Sequence, residues 1–323
     1  MNDMWKRGIL GVVVGDALGC PVQFESREEV ANHPVTDMRG YGTFNLPEGS
    51  WTDDSSLTLA LLDSINRTGE IDVIDVMDRF IEWLENGDYT PYGYSYDVGR
   101  GTMNAIRAFE RMGDANLCGG RSERDNGNGS LMRILPACLF CIEKNLSDIE
   151  AVQIIHKVSS LTHAHIRSNI SCGFYYFMAK AIVKEEGTLL ERLQNGIDNG
   201  FTYYANNLGI KKYQNEMEHF YRLYDLNKFK HTHINDIRSS GYVVDSLEAA
   251  VWSLITTSSF KNALLTAVNL GDDTDTVGAI AGGLAGLFYG LNGHEGIPYS
   301  WINKIQRREW IIDMCDTSDM RIN

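Results

Sequence analysis

The chain has 323 residues, 43% hydrophobic and 22% charged, with 29 basic against 43 acidic side chains and a net charge of −14. That apolar fraction excludes a disordered chain, and six cysteines in this length exclude a disulfide scaffold. The acidic surplus argues against a general binder of nucleic acid or anionic membrane, whose affinity rests on Lys and Arg.

Six prolines, where usage near roughly 5% would give about 16, favour helices over a β-sandwich. At the N-terminus the run Ile9 to Val14 is too short for a signal segment, and Asp16 breaks it off. No run approaches the roughly 18 apolar residues of a membrane span, so a cytoplasmic chain is expected. The residues Thr52-Asp53-Asp54-Ser55-Ser56 read as a helix start, with Leu57, Ala60, Leu61 and Ser64 on one face behind them. Ile71 to Leu84 is amphipathic through Val73, Met77, Phe80, Ile81 and Leu84. Further helices are predicted over 101–112, 130–144, 147–160, 165–185, 240–258, 260–269 and 275–291. Cys138 and Cys141 lie inside an apolar run with no second pair and no nearby histidine, which predicts a buried helical face. The stretch Gly200 to Ile237 is polar, aromatic and weakly periodic, as an insertion or a peripheral helical layer would be. No linker or repeat divides residues 1–323, so one all-α domain is expected.

Gly278, Gly282 and Gly286 recur at four-residue spacing, although glycine costs a helix about 1 kcal/mol relative to alanine. Close approach of a second backbone accounts for them, and Gly8, Gly11, Gly15 and Gly19 are the matching set.

Two acidic clusters stand at predicted helix N-termini: Thr52-Asp53-Asp54 and Asp272-Asp273-Thr274-Asp275-Thr276. A helix N-terminus favours ionised, capping aspartates. Capping accounts for one aspartate per cluster, whereas two or three repel one another unless cations sit between them. Oxygen donors without nearby Cys or His suit Mg²⁺ or Mn²⁺ and disfavour Zn²⁺. Between the clusters in sequence lies Asp125-Asn126-Gly127-Asn128-Gly129-Ser130-Leu131-Met132-Arg133. Its glycines permit a tight turn, free N–H groups there make an anion cradle, Ser130 is placed to cap the next helix, and Arg133 is a candidate charge partner. His163, in Leu161-Thr162-His163, is a further candidate, although a histidine at a helix end is commonly structural.

At these residues the chain resembles the ADP-ribosylglycohydrolase family. The matching stretches are Gly11-x3-Gly15-Asp16-Ala17-Leu18-Gly19, Trp51-Thr52-Asp53-Asp54-Ser55, Gly127 to Arg133, Leu161-Thr162-His163, Gly241-Tyr242-Val243 with Leu247-Glu248-Ala249-Ala250, and Gly271 to Thr276. They fall in family order. The resemblance implies a many-helix bundle around two Mg²⁺ or Mn²⁺ ions, cleaving an N- or O-glycosidic bond to ADP-ribose. By position it implies Thr52, Asp53, Asp54, Asp273, Asp275 and Thr276 as metal ligands, with Asp272 outside the pattern. Gly127, Asn128, Gly129 and Ser130 would cradle the diphosphate, and His163 would lie near the bound ADP-ribose. The implied substrate is an ADP-ribosylated protein or a small ADP-ribose conjugate.

Many members carry glutamate where this chain has Gln23, and an amide neither ligates as an anion nor acts as a base. Glu25 is placed to substitute if the segment is extended, since alternate residues then share a face. Four aspartates, Asp53, Asp54, Asp273 and Asp275, already match the charge of two divalent cations. Cleavage at the anomeric carbon passes through an oxocarbenium-like state. The expected arrangement activates a water at the metal centre with help from Asp54 and Asp53. Two rival readings are a non-catalytic, crystallin-like member of the fold and a haloacid-dehalogenase-like phosphatase. The second rests on the D-x-D-x-V match Asp273 to Val277, which in that family follows a β-strand.

Overall fold

A computed structural model describes residues 3–206 and 211–320. Its first helices in chain order are α1 (Met4–Gly19), α2 (Arg27–Asn32), α3 (Asp53–Thr68), α4 (Val73–Asn86), α5 (Arg100–Met112) and α6 (Leu135–Glu143). Next come α7 (Asp148–Ser160), α8 (Ile166–Lys184), α9 (Leu189–Asn206), α10 (Lys211–Met217) and α11 (Leu226–Phe229). The last are α12 (Val243–Ile255), α13 (Phe260–Val268), α14 (Thr274–Tyr289), α15 (Tyr299–Lys304) and α16 (Arg308–Met320). Among the described residues there is no strand, only isolated bridges, so the fold is all-α as expected. The phosphatase reading fails here, because the residues before Asp273 form α13 and not a strand.

Local chemistry sets most boundaries. The Asp72 carboxylate accepts from the N–H groups of Ile74 and Asp75 to start α4, and Ser147 with Glu150 forms a capping box at α7. Helix α6 begins five residues later than the predicted 130. The N–H groups of Leu131 and Met132 turn back onto the Asn128 carbonyl, and only from Leu135 does the chain become helical. Ser130 therefore caps no helix. Cys138 and Cys141 are free and buried on α6, as their apolar surroundings predict. Within 200–237 the chain forms the end of α9, then α10, a 3-10 segment and α11, and Phe220, Leu223, Leu226 and Phe229 anchor this layer in the core. Helices α2, α9, α15 and α16 have no counterpart among the predicted elements.

Helices α1 and α14 are apolar on nearly every side, the signature of central helices. They pack antiparallel through the two glycine sets. A Cβ added at Gly15 would lie 2.0 Å from the Gly278 carbonyl oxygen, and one at Gly282 would lie 2.1 Å from that of Gly11. Backbone meets backbone there with no room for a methyl. The pairing continues to Gly19, whose carbonyl accepts from Thr274 Oγ1 at 2.8 Å. It thus brings the C-terminus of α1 against the N-terminus of α14, where the second acidic cluster stands. The same end of α1 carries Asp16, which grips the start of α3. The seam between two helices therefore places both clusters.

Candidate active site

Asp16 is fully buried and organises the first cluster. Its carboxylate accepts from the Thr52 N–H at 3.0 Å, the Ser55 N–H at 3.0 Å and the Ser55 hydroxyl at 2.6 Å. Asp16 thus satisfies the orphan N–H groups of α3 from a neighbouring helix. Contrary to expectation, no cluster side chain caps its own helix at Thr52 or Asp273. Relieved of that task, the aspartates turn inward.

The two clusters meet through their threonines. Thr52 Oγ1 lies 3.2 Å from Asp54 Oδ2, 3.1 Å from Asp275 Oδ2 and 3.1 Å from Asp16 Oδ1. One hydroxyl proton faces three carboxylates. Thr276 Oγ1 lies 3.3 Å from Asp54 Oδ2 and closes the ring from the other side. Asp54 Oδ1 and Asp275 Oδ1 are buried with no hydrogen-bond partner.

Without cations between them, this crowding works against ionisation of the aspartates. Burial, followed by repulsion from neighbouring carboxylates, pushes the Asp53, Asp54 and Asp275 carboxyls well above the ordinary range. Burial pushes Asp16 up to about 7 despite the hydrogen bonds it accepts. The helix-terminus field is too weak to offset removal from water.

A cavity of about 250 Å³ opens over this centre. Asp53, Asp273, Thr276, Gly127, Asn128, Gly129 and His163 line it together; Thr52, Asp54 and Asp275 form the buried layer behind. The Asn128 side-chain amide donates to Asp273 Oδ2 at 2.7 Å and to Ser246 Oγ at 2.8 Å. Its N–H donates to the Gly241 carbonyl, so the glycine loop is pinned to the Gly241–Val243 segment. Ser130 is fully buried, and its hydroxyl accepts from Ser159 within the core. Arg133 is also fully buried, stacked 4.7 Å over Phe80, and so is no charge partner for a ligand in the cavity.

Asp272 is exposed and lies outside the cavity lining, as its place outside the pattern implied. Glu25 is not part of the lining either. Phe24 adopts a positive φ of 69°, which breaks the extended alternation that would have placed Glu25 beside Gln23. Gln23 itself faces the cavity and donates through Nε2 to Asp97 Oδ2 at 2.9 Å.

Asp97 and the segment Gly99-Arg100-Gly101-Thr102 were not singled out from the sequence, yet they form one wall. The Gly99 N–H donates to Asp53 Oδ2 at 3.3 Å. The visible signal was the glycine-bracketed start of α5, which mirrors Gly127 and Gly129. Arg100 is exposed at that helix start and supplies the lining with its cation.

The donor set fits a hard cation. Every polar side-chain group of the two clusters is a carboxylate or a hydroxyl, and two buried carboxylate oxygens lack partners. Among the described residues no three His, Cys, Asp or Glu side chains are already grouped as a metal cage. The fit therefore rests on donor chemistry and on the unpartnered oxygens.

Comparison with known proteins places the chain in a family. A model of the ADP-ribosylglycohydrolase family matches residues 3–322, and the chain belongs to that family. It is accordingly a hydrolase of glycosidic bonds. It is 30% identical over 317 residues to ADP-ribosylarginine hydrolase Tri1 of Serratia proteamaculans, covering 97% of this chain and 78% of that one. It is 31% identical over 310 residues to ADP-ribosyl-[dinitrogen reductase] glycohydrolase of Rhodospirillum rubrum, covering 95% and 92%. A solved structure described as an ADP-ribosylglycohydrolase-related protein complex superposes with a TM-score of 0.74 at 26% identity, covering 98% of both chains. No helix among the described residues is long and apolar enough to cross a membrane.

Proposed function

We propose that this chain removes ADP-ribose from arginine side chains of proteins by hydrolysing the N-glycosidic bond, with two Mg²⁺ or Mn²⁺ ions as cofactors. The choice of arginine is supported by the relatives named ADP-ribosylarginine hydrolase, which align over 97% and 94% of the chain. The metal requirement is supported by one observation above all: two buried carboxylate clusters share too few donors, leaving Asp54 Oδ1 and Asp275 Oδ1 unpartnered. Thr52, Asp53, Asp54, Asp273, Asp275 and Thr276 would hold the ions. When bound, such a pair supplies Lewis acidity that orients ribose hydroxyls and lowers the pKa of a nearby water.

The remaining work falls to the chain. The backbone of Gly127 and Gly129 faces the diphosphate, with Arg100 at the start of α5 as its cationic partner. Asn128 lines the same wall and braces Asp273 through its side-chain amide. Asp54, with Asp53 beside it, takes the proton of the attacking water, and the anomeric carbon passes through its oxocarbenium-like state as the guanidine leaves. His163 is no proton donor to the leaving group: burial and the Arg133 charge hold its pKa down at about 3. It serves as a neutral wall of the cavity.

The test is a panel of arginine-linked, serine-linked and acetate-linked ADP-ribose conjugates, incubated with protein and either metal. Arginine release that disappears on chelation is expected. Turnover of the O-linked conjugates alone would refute the linkage, and full turnover in chelator would refute the metal centre. ADP-ribose at a hundred times its dissociation constant should stabilise the fold by about 2.7 kcal/mol, and AMP at the same concentration by much less.

A further inference from the structure

Arg133 is an expensive residue to bury. Its side chain is fully enclosed, has no carboxylate partner in contact, and leaves Nε and Nη1 without hydrogen bonds. Its Nη2 donates to the Thr162 hydroxyl at 2.8 Å and, more weakly, to the Val158 carbonyl at 3.4 Å. Thr162 Oγ1 in turn lies 2.8 Å from His163 Nδ1. The far edge of that ring, bearing Nε2, is packed between glycines. A Cβ at Gly101 would stand 2.9 Å from Nε2, and one at Gly129 would stand 2.6 Å from Cε1 and 3.1 Å from Nε2.

A guanidinium only donates, so the Thr162 oxygen accepts from Arg133 and keeps its own proton to give. The partner that proton meets is His163 Nδ1. With Nδ1 accepting, a neutral ring carries its proton on Nε2. In the opposite tautomer Oγ1 would accept twice, and its own proton would have no acceptor among the described residues.

We infer that Arg133 and Thr162 are positioning residues: a buried relay that fixes His163 as the Nε2–H tautomer and aims that N–H into the cavity as a donor to a ligand oxygen. The identity of that oxygen as one of ADP-ribose rests on the proposed function; the tautomer does not. The charge of Arg133 also opposes protonation of the ring, in keeping with its depressed pKa. The glycines at 101 and 129 let the ring reach the wall, and the relay decides which nitrogen carries the hydrogen. A sequence reading that assigns Arg133 to the ligand finds the right residue with the wrong task.

Nitrogen NMR of the ligand-free protein, carrying isotope-labelled histidine, distinguishes the tautomers directly, with the His163 signals assigned by their loss in His163→Gln. The expected spectrum shows one neutral Nε2–H form at pH 7. A dominant Nδ1–H form, or a rapid mixture, would overturn the relay without any variant being made. Thr162→Val should release the tautomer and weaken ADP-ribose binding about tenfold, whereas Thr162→Ser should restore both to within about twofold. Retention of the pure Nε2–H form in a folded Thr162→Val protein would also overturn it. Failure of the wild-type protein to bind ADP-ribose would count against the proposed function alone, because the relay is decided on free protein.

Discussion

The same two helices build the most orderly and the most conflicted parts of this molecule. Along the middle of α1 and α14, glycines bring backbone onto backbone with no side chain between. One turn further on, at Gly19 and Thr274, those helices deliver Asp16, Asp275 and Thr276 into a knot of buried carboxylates with more acceptors than donors. The seam is a packing solution with little freedom, and the knot is an electrostatic problem that the seam holds in place. Rigid packing next door is what keeps repelling groups from relaxing apart. The comparison predicts opposite behaviour: damage to the seam should cost stability, and damage to the knot should cost activity while sparing the fold.

The largest effect belongs to the seam. Gly15→Ala sets a methyl 2.0 Å from the Gly278 carbonyl oxygen, so the helices must part along their length. A loss of about 3 kcal/mol or more is expected in denaturant unfolding. A loss below about 1 kcal/mol would mean the seam is looser than its geometry. Next comes the knot. Asp54→Ala should lower turnover on the order of a hundredfold or beyond at saturating metal. The same variant should raise the melting temperature of metal-free protein, since one of the crowded, desolvated carboxyls is gone. A fall in both quantities would show that Asp54 is structural and would break the contrast.

Both regions were legible in the sequence, for different reasons. Glycines at helical spacing have few explanations, and aspartates side by side at a helix start have fewer. What escaped was anything decided by a single backbone angle or by a distant partner. Phe24 enters positive φ, so Glu25 does not share the face of Gln23. Asp16 accepts the α3 N–H groups from 39 residues away at Ser55, so the clusters do not cap. The turn after Asn128 rotates Arg133 into the core, although it lies only four residues beyond Gly129 in sequence. Asp97 is a lone carboxyl in a tyrosine-rich stretch, and only folding sets it against Gln23.

Gln23 gives a smaller effect and tests where the knot ends. Its amide holds Asp97 at 2.9 Å but belongs to neither cluster. Gln23→Ala should lower the rate by less than about tenfold, under roughly 1.4 kcal/mol of transition-state stabilisation. If it were as damaging as Asp54→Ala, the amide itself would be positioning water or substrate, and the aspartates would not carry the reaction alone.

The smallest effect lies on the wall where glycines close around a side chain, as they close around backbone in the seam. His163 is held there with a pKa of about 3, by burial first and the Arg133 charge second, against a weak pull from Asp125. Its ordinary value near 6.5 applies only to the unfolded chain. The folded value is the lower one, so the stability it contributes is fully present above about pH 6.5 and is lost as pH falls toward about 3. Activity between pH 5 and 9 should therefore carry no limb from this imidazole. His163→Gln replaces it with an amide that still donates but never titrates in this range. The variant should keep the shape of the wild-type pH–rate profile, lose less than about tenfold in ADP-ribose affinity, and unfold less steeply in acid. A wild-type limb near pH 6 that vanished in the variant would show an ionising histidine. The glycine wall would then be a proton-handling surface like the carboxylate knot, and not the locked, neutral counterpart that its packing describes.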